Sequence, residues 1–248
     1  MFKLPYKPLT FDPKQHKYFD EDGQEYTSVT TFIKGDEEFN AEAIATRVIC
    51  NPRSKYYGMD KDAVIQQWAD SAPLGTTVHK SIEDFINQGA YPTDKKLTPL
   101  VVQFSRLKFK GQLLSEVILH DPEFLIAGTA DIIEIDEDCI WLWDIKTSVP
   151  RPKGDRVSDD KIDKFSLQLE IYRRLIERCF KMPCKIGGIL WFKNYAKERE
   201  KTQLKVFSVN SVGGQVDKLL QARRLELLKE INLFFCRFHV GNIIYYVL

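Results

Sequence analysis

Apolar residues change their spacing several times along the chain, and each change marks a different kind of element. Over 16–33, HKYFDEDGQEYTSVTTFI, two β-prone runs flank an acidic turn containing Gly23, the pattern of a hairpin. From about 38 to 90 the spacing becomes helical, in AEAIATRVIC, then DAVIQQWAD, then GTTVHKSIEDFINQG, with a further helix over 98–109. Residues 112–147 read as three strands, LLSEVILH, FLIAGTADIIEI and CIWLWDIKTS. The Pro-, Lys- and Asp-rich run VPRPKGDRVSDDK reads as a mobile loop. A helix follows at 163–180, then strands near 185–192 and 203–209, then a long amphipathic helix from about 213 to 237. No repeat, low-complexity tract or interdomain linker interrupts this order. The expectation is an α/β chain, a mixed central sheet flanked by helices in one domain over 1–248: an N-terminal hairpin region at 1–36, a helical region at 37–110, and a sheet with its flanking helices at 111–248.

Composition narrows the class. With 44% apolar and 29% charged residues in a chain of 248, the balance is that of a soluble globular protein. No stretch reaches the 18 or so apolar residues that a membrane span needs. The opening MFKLPYKPLTFDPK has no apolar signal region and no Arg- and Ser-rich transit character, so a cytoplasmic location is expected. Cys50, Cys139, Cys179, Cys184 and Cys236 are scattered, odd in number and without a CxxC pair, which suits reduced thiols rather than a disulfide framework or a zinc ribbon. The net charge of +1 selects no partner. Locally, Arg173, Arg174, Arg178, Lys181 and Lys185 face one acid, Glu177, and a second cluster holds Lys193, Lys197, Arg199, Lys201 and Lys205. Each is either a solvated face or a track for a phosphate backbone.

The strongest chemical signal is GTADIIEI-DEDC-IWLWDIKT. Its acidic turn is centred between Glu137 and Asp138, so paired positions lie symmetrically about that point, with Asp131 opposite Asp144 and Thr129 opposite Lys146. Lys146 shares the face of Asp144 because strand side chains repeat every two residues. Ile133, Ile135, Ile140 and Leu142 continue that face towards the turn, while Ile132, Trp141, Trp143 and Ile145 form the other, which reads as core. Two facing carboxylates repel unless a cation stands between them, and a hard divalent metal is one such cation. Taken alone, the same triplet also fits a solvated strand end. Two helical pairs add to it. His79 and Glu83 stand four apart beside the apolar stripe Ile82, Phe85 and Ile86, with Gly75 read as letting the helix start pack close to another backbone. Gln168 and Tyr172 also stand four apart, beside a stripe read as Leu167, Ile171, Leu175 and Ile176. A histidine on an apolar helix flank is equally compatible with a purely structural role, as is a Gln–Tyr pair.

In order, these pieces resemble the RecB-type branch of the PD-(D/E)XK nucleases, whose G-x-x-x-H-x-x-x-E helix, G-x-x-D strand, D-x-K strand and Q-x-x-x-Y helix match Gly75–Glu83, Gly128–Asp131, Asp144–Lys146 and Gln168–Tyr172. Glu116 resembles the acid that begins the preceding strand in that branch, and KYFDEDGQEYTSVTTFI resembles the N-terminal hairpin of phage and mitochondrial genome-maintenance exonucleases. The resemblance spans about 16–175. It implies a restriction-endonuclease-like core and a Mg²⁺- or Mn²⁺-dependent deoxyribonuclease. His79, Asp131, Asp144 and the main-chain carbonyl of Ile145 would bind metal, and Glu83 would join them or stand behind them. Lys146 would assist the attacking water. Gln168, Tyr172 and Glu116 would support the site or the DNA. Several relatives carry an iron–sulfur cluster on closely spaced C-terminal cysteines; that spacing is missing here, so no cluster is expected. An exonuclease on single strands or free ends is the favoured form, with Tyr56–Tyr57 near Arg53 and Lys55, and Phe192–Lys193–Asn194–Tyr195, as stacking candidates. A flap- or branch-selective endonuclease and a non-catalytic DNA-binding member of the fold are the alternatives. DNA is the implied partner, with other recombination or replication proteins, in a bacterial or phage-infected cell.

Overall fold

The computed structural model describes residues 3–13, 15, 17–35, 40–147, 159–193 and 202–237. The chain opens with three short strands, β1 (Thr10–Asp12), β2 (Lys17–Phe19) and β3 (Glu25–Ser28), in an antiparallel meander. The expected hairpin is the β2–β3 pair, but its second run turns helical at Val29. There the Ser28 hydroxyl accepts the Thr31 N–H and caps α1 (Val29–Lys34). Local side-chain capping overrides the β-propensity of the Val-Thr-Thr run.

Asn40 caps α2 (Ala41–Cys50) and Asp60 caps α3 (Lys61–Gln88), each through a side-chain oxygen. The two helices expected around residues 61–89 are one. Pro73 lies inside it, removing a single backbone donor. Buried Val64 on one side of Pro73, and Val78 and Ile82 on the other, hold the helix continuous. Gly75 is therefore mid-helix, and the nearest neighbour of a Cβ there would be the Thr147 hydroxyl, at an ordinary 3.5 Å. A short helix, α4 (Thr98–Ser105), follows, ending four residues before the expected boundary.

The sheet has eight strands, both parallel and antiparallel. After the meander come β4 (Gln112–Asp121), β5 (Ile126–Ile135), β6 (Ile140–Lys146), β7 (Cys184–Lys193) and β8 (Gln203–Phe207). Helix α5 (Asp159–Phe180) joins the parallel pair β6–β7, and α6 (Gly213–Arg237) closes the described chain. The last residues of the run read as a loop, Asp159, Asp160 and Lys161, open α5; residues 149–158, Asn194, Tyr195, Lys197, Arg199, Lys201 and the Cys236 side chain lie outside the described set. Among the described residues, no helix is long and apolar enough to cross a membrane.

Both faces of the sheet are covered, as parallel pairing requires. On one, α5 supplies Leu169, Ile171, Tyr172, Leu175 and Ile176 against Ile133, Ile140 and Leu142. On the other, Val78 and Ile82 of α3, with Leu100, Val101 and Phe104 of α4, meet Ile132, Ile145, Leu190 and Phe192. The acid-bearing face is thus as much core as the tryptophan face, and Trp141 and Trp143 are only half-buried. In α5, Leu169 and Tyr172 join Ile171, Leu175 and Ile176 in the buried stripe, and Leu167 is only partly buried.

The sheet forks at β5. Its whole length pairs with β4 along one edge. Along the other, β3 pairs in parallel with Ile126 and Ala127 only, and β6 pairs antiparallel with Ile132–Ile135. Those two strands run into the space beside 128–131 from opposite directions, each with its C-terminal end. The β5–β6 register is the one expected from the turn, through Ile132↔Trp143, and the ladder stops one residue short of Asp131 and Asp144.

A bulge on β7 sets the parallel register: Leu142 faces Ile186 and Trp143 faces Gly188, leaving Gly187 extra beneath the Trp143 indole. Gly188 has φ +137°, and a Cβ there would be driven into the Phe207 carbonyl oxygen. Gly188→Ala is therefore expected to cost about 1–3 kcal/mol, read as a lower urea midpoint. An unchanged midpoint would show that β7 and β8 can separate to make room.

Candidate metal centre

The fork in the sheet is where the polar groups gather. Freed from ladder pairing, the Asp131 side chain bonds across the gap, Oδ2 accepting the Ile145 N–H at 2.6 Å. This replaces the missing rung between β5 and β6. Its other oxygen, Oδ1, lies 3.5 Å from His79 Nδ1, brought in by α3. The same ring nitrogen lies 3.3 Å from Glu116 Oε1. Glu116 is in the middle of β4, not at its start; the β4–β5 register runs unbroken on both sides of it, opposite Asp131. Its φ of +51° is left-handed, which costs a non-glycine residue about 1–2 kcal/mol. Such strain inside a strand is most often found at functional sites. His79, Glu116 and Asp131 each offer one ligand atom, and these atoms lie within 4.8 Å of one another.

Asp144 and Lys146 stand beside this group on β6. Asp144 is buried, with Lys146 Nζ 2.6 Å from its Oδ2, and the ammonium also lies 5.3 Å from the centre of the Phe165 ring of α5. Tyr172, one helical turn after Gln168, is buried against Gly128. A Cβ at residue 128 would meet the Tyr172 ring at 2.5 Å, so the glycine of the G-x-x-D pattern makes room for the tyrosine of the Q-x-x-x-Y pattern. Gln168 lies by the Tyr172 hydroxyl, whose pKa burial pushes far up, so it stays protonated. Thr129 does not meet Lys146: the ladder has ended, and its hydroxyl is instead 3.0 Å from that of Tyr18, on β2. Tyr18 had no local sequence signal, since its partner is 111 residues away.

Glu83 pairs with Lys80 at 3.1 Å, and Glu116 is the second carboxylate beside His79. The arginines of α5 are also engaged elsewhere. Arg173 pairs with Glu170 and Glu177, Arg174 with Glu170 and Asp217, and Arg178 with Asp121 and Glu123. Arg173 pairs within α5, while Arg174 and Arg178 staple α5 to α6 and to the β4–β5 turn, so the solvated-face reading of that cluster, not the phosphate track, fits these three.

Three carboxylates and two cations share the fork, and the titrations of His79, Asp144 and Lys146 reflect it. Burial acts to lower the His79 pKa, but Asp131 and then the Glu116 hydrogen bond outweigh it and raise it to about 8. Burial pushes Asp144 up, with Lys146 pulling against it and Asp131 adding to it. Burial opposes the Lys146 charge, yet Asp144 and Asp131 raise its pKa above the ordinary value. Below about pH 8 the charged imidazolium is therefore the favoured form between these two acids. A divalent cation fits the same donors: one imidazole nitrogen and two carboxylates suit Mn²⁺ as well as Mg²⁺.

No family model matches this chain, and no curated protein does. Solved structures with similarity include one from Eubacterium rectale that carries an exonuclease assignment. It is 10% identical with a TM-score of 0.39, over 90% of this chain and 91% of that one. Another is SSO0001, 17% identical with a TM-score of 0.35, over 82% of this chain and 77% of that one.

Two outcomes follow from the charges and the strain. Protonated His79 is favoured in the fold, so its contribution to stability is complete below the ordinary imidazole value of 6.5 and is lost as pH rises to about 8. Melting temperature in EDTA should fall across that window, and His79→Gln should remove that component; an identical fall in the variant would assign it to other groups. Glu116→Gly relieves the left-handed φ and removes a ligand. It should melt no lower than the parent in EDTA, yet lose most of the rise in melting temperature that saturating Mn²⁺ gives the parent. A variant that keeps the full Mn²⁺ shift would exclude Glu116 as a ligand.

Proposed function

We propose that this chain is a divalent-metal-dependent deoxyribonuclease, one domain over 1–248 with a restriction-endonuclease-like core, that hydrolyses phosphodiester bonds. It prefers single-stranded DNA or free strand ends, and acts in the cytoplasm in DNA recombination, repair or phage DNA processing. The observation that carries this reading is the juxtaposition, in the fork of one sheet, of a His–Glu–Asp candidate ligand group with a buried Asp144 paired to a half-buried Lys146. A structural ion-pair cluster has no need of a strained glutamate, nor of three carboxylates crowded together.

His79, Glu116 and Asp131 would hold Mg²⁺ or Mn²⁺, with Asp144 and the Ile145 main-chain carbonyl completing the set. When bound, the cation supplies Lewis acidity and acidifies a coordinated water. The chain's own groups do the rest. Asp131 fixes the end of β6 through the Ile145 N–H, so Asp144 and Lys146 stay in register with the ligands. Asp144 keeps the Lys146 ammonium charged and pointed into the fork, where it can stabilise the negative charge that grows on a phosphate under attack, or orient the water. Gln168 and Tyr172 support the floor from α5; Tyr172 is buried, so Gln168 is the better placed of the two to reach a strand. Glu83, paired with Lys80, is a supporting group at most.

The test uses end-labelled linear single strands, linear duplexes and circles, with Mg²⁺, Mn²⁺ or EDTA. Metal-dependent loss of linear strands with circles spared is expected, and Lys146→Ala should lower kcat by about 10²–10³-fold, the usual scale for losing one transition-state charge contact. Nicked circles would replace the exonuclease by the endonuclease. Binding without cleavage by the parent would leave a DNA-binding protein.

A further inference from the structure

We infer that the tip of the α2–α3 hairpin is a second nucleic-acid contact, a stacking platform for an unpaired base of a strand whose phosphate lies at the metal centre. The inference rests on the nuclease reading for its substrate and goes beyond it in placing a distal subsite.

Helices α2 and α3 pack on each other, and Ala45 of one and Val64 of the other are both fully buried yet belong to none of the clusters that line the sheet. A Lys61–Glu42 ion pair of 3.4 Å adds to this contact. The hairpin thus has a small core of its own. Its connection, residues 51–60, is held by a dense set of bonds. Ser54 N–H bonds to the Asn51 carbonyl, Tyr57 N–H to that of Ser54, Met59 N–H to that of Tyr56 and Gly58 N–H back to that of Ile49. Asn51 and Ser54 side chains accept the Arg53 and Tyr56 N–H groups, and Gly58 adopts φ +72°. Below the tip, the Trp68 indole N–H donates to the Tyr56 hydroxyl at 2.9 Å, with the rings edge to face.

This well-anchored turn presents apolar side chains to solvent. Tyr57 is 58% exposed and Met59 39% exposed, while Arg53 and Lys55 are exposed on the same turn. Among the described residues no acid pairs with Arg53 or Lys55, and Lys55 Nζ lies 4.3 Å over the Tyr56 ring. Two exposed cations on the same turn as an exposed aromatic, on a backbone already fixed, match what a single strand offers: phosphates for the cations and a base face for the ring. Within a duplex every base face is already stacked, so an internal base can meet the ring only in a single strand. The same α3 carries His79, eighteen residues beyond Lys61, or about 27 Å along the helix. At a stacked rise of 3.4 Å that is about 8 nucleotides, fewer if the strand is extended. A 12-mer can reach both places and a dinucleotide cannot.

Binding of a labelled single-stranded 12-mer in EDTA, and cleavage of the 12-mer and of a dinucleotide in Mn²⁺, separate the two subsites. Tyr57→Ala should weaken 12-mer binding about tenfold, raise KM for the 12-mer with kcat unchanged, and leave both dinucleotide cleavage and duplex 12-mer binding unaltered. Lys55→Ala and Arg53→Ala should each lower the salt dependence of 12-mer binding by about 0.7 in the log–log slope. Equal 12-mer affinity for the parent and Tyr57→Ala, or no binding by the parent, overturns the platform. A parent that binds the 12-mer through Tyr57 but cleaves nothing supports the platform and refutes the catalytic reading. An equal loss on duplex would also overturn it, because the ring would not then be stacking on an unpaired base.

Discussion

The Asp131 carboxylate holds the architecture of the fork together. Where β5 and β6 part, a backbone N–H at Ile145 would be left without its ladder partner, inside a region packed by α3 and α5. A buried amide in that position needs an acceptor, since an unsatisfied one costs about 1–3 kcal/mol. Asp131 Oδ2 supplies it, and in doing so turns its second oxygen towards His79. One side chain therefore keeps the strands apart, closes the hydrogen-bond account of β6 and offers a ligand. Removing it would take away the β5-side anchor of Ile145, leaving Asp144 and Lys146 held by β7 alone, and one member of the candidate ligand group.

Everything else at the fork answers the charge that Asp131 brings. Glu116 accepts a left-handed backbone to bring a second carboxylate to the same imidazole, and Asp144 is buried beside both. Without a metal, the imidazolium and the Lys146 ammonium neutralise part of this negative charge. The packing around the fork is made to fit: Gly128 leaves room for Tyr172, and Tyr18 reaches in from the N-terminal meander to Thr129. The meander is thus joined to the site through a hydroxyl pair and through the two-residue parallel contact of β3 with β5.

Much of this was legible in the sequence wherever the interaction was local. The β5–β6 turn is short and symmetric, so its register could be read from residue positions, and the face shared by Asp144 and Lys146 followed from strand periodicity. Helix α6 spans the residues its amphipathic pattern marks. Reading failed where distant parts of the chain decide. The continuity of α3 through Pro73 depends on burial against α2 on one side and against the sheet on the other. The arginines of α5 look like a free basic track until Asp121, Glu123 and Asp217 arrive from other elements. Glu116 was named only through its resemblance to an acid of the preceding strand, its left-handed backbone opposite Asp131 leaving no local signal, and Tyr18 is placed by a contact 111 residues away.

Helix α3 is also a mechanical part. It is a rod of 28 residues with its N-terminal half in the hairpin and its C-terminal half on the sheet. At Pro73 one rung of its hydrogen-bond ladder is missing, because the carbonyl of Ala69 has no N–H to receive. Bending stiffness is lowest there, six residues before His79. A load on the hairpin would therefore bend the helix at that joint first, before it shifted the imidazole.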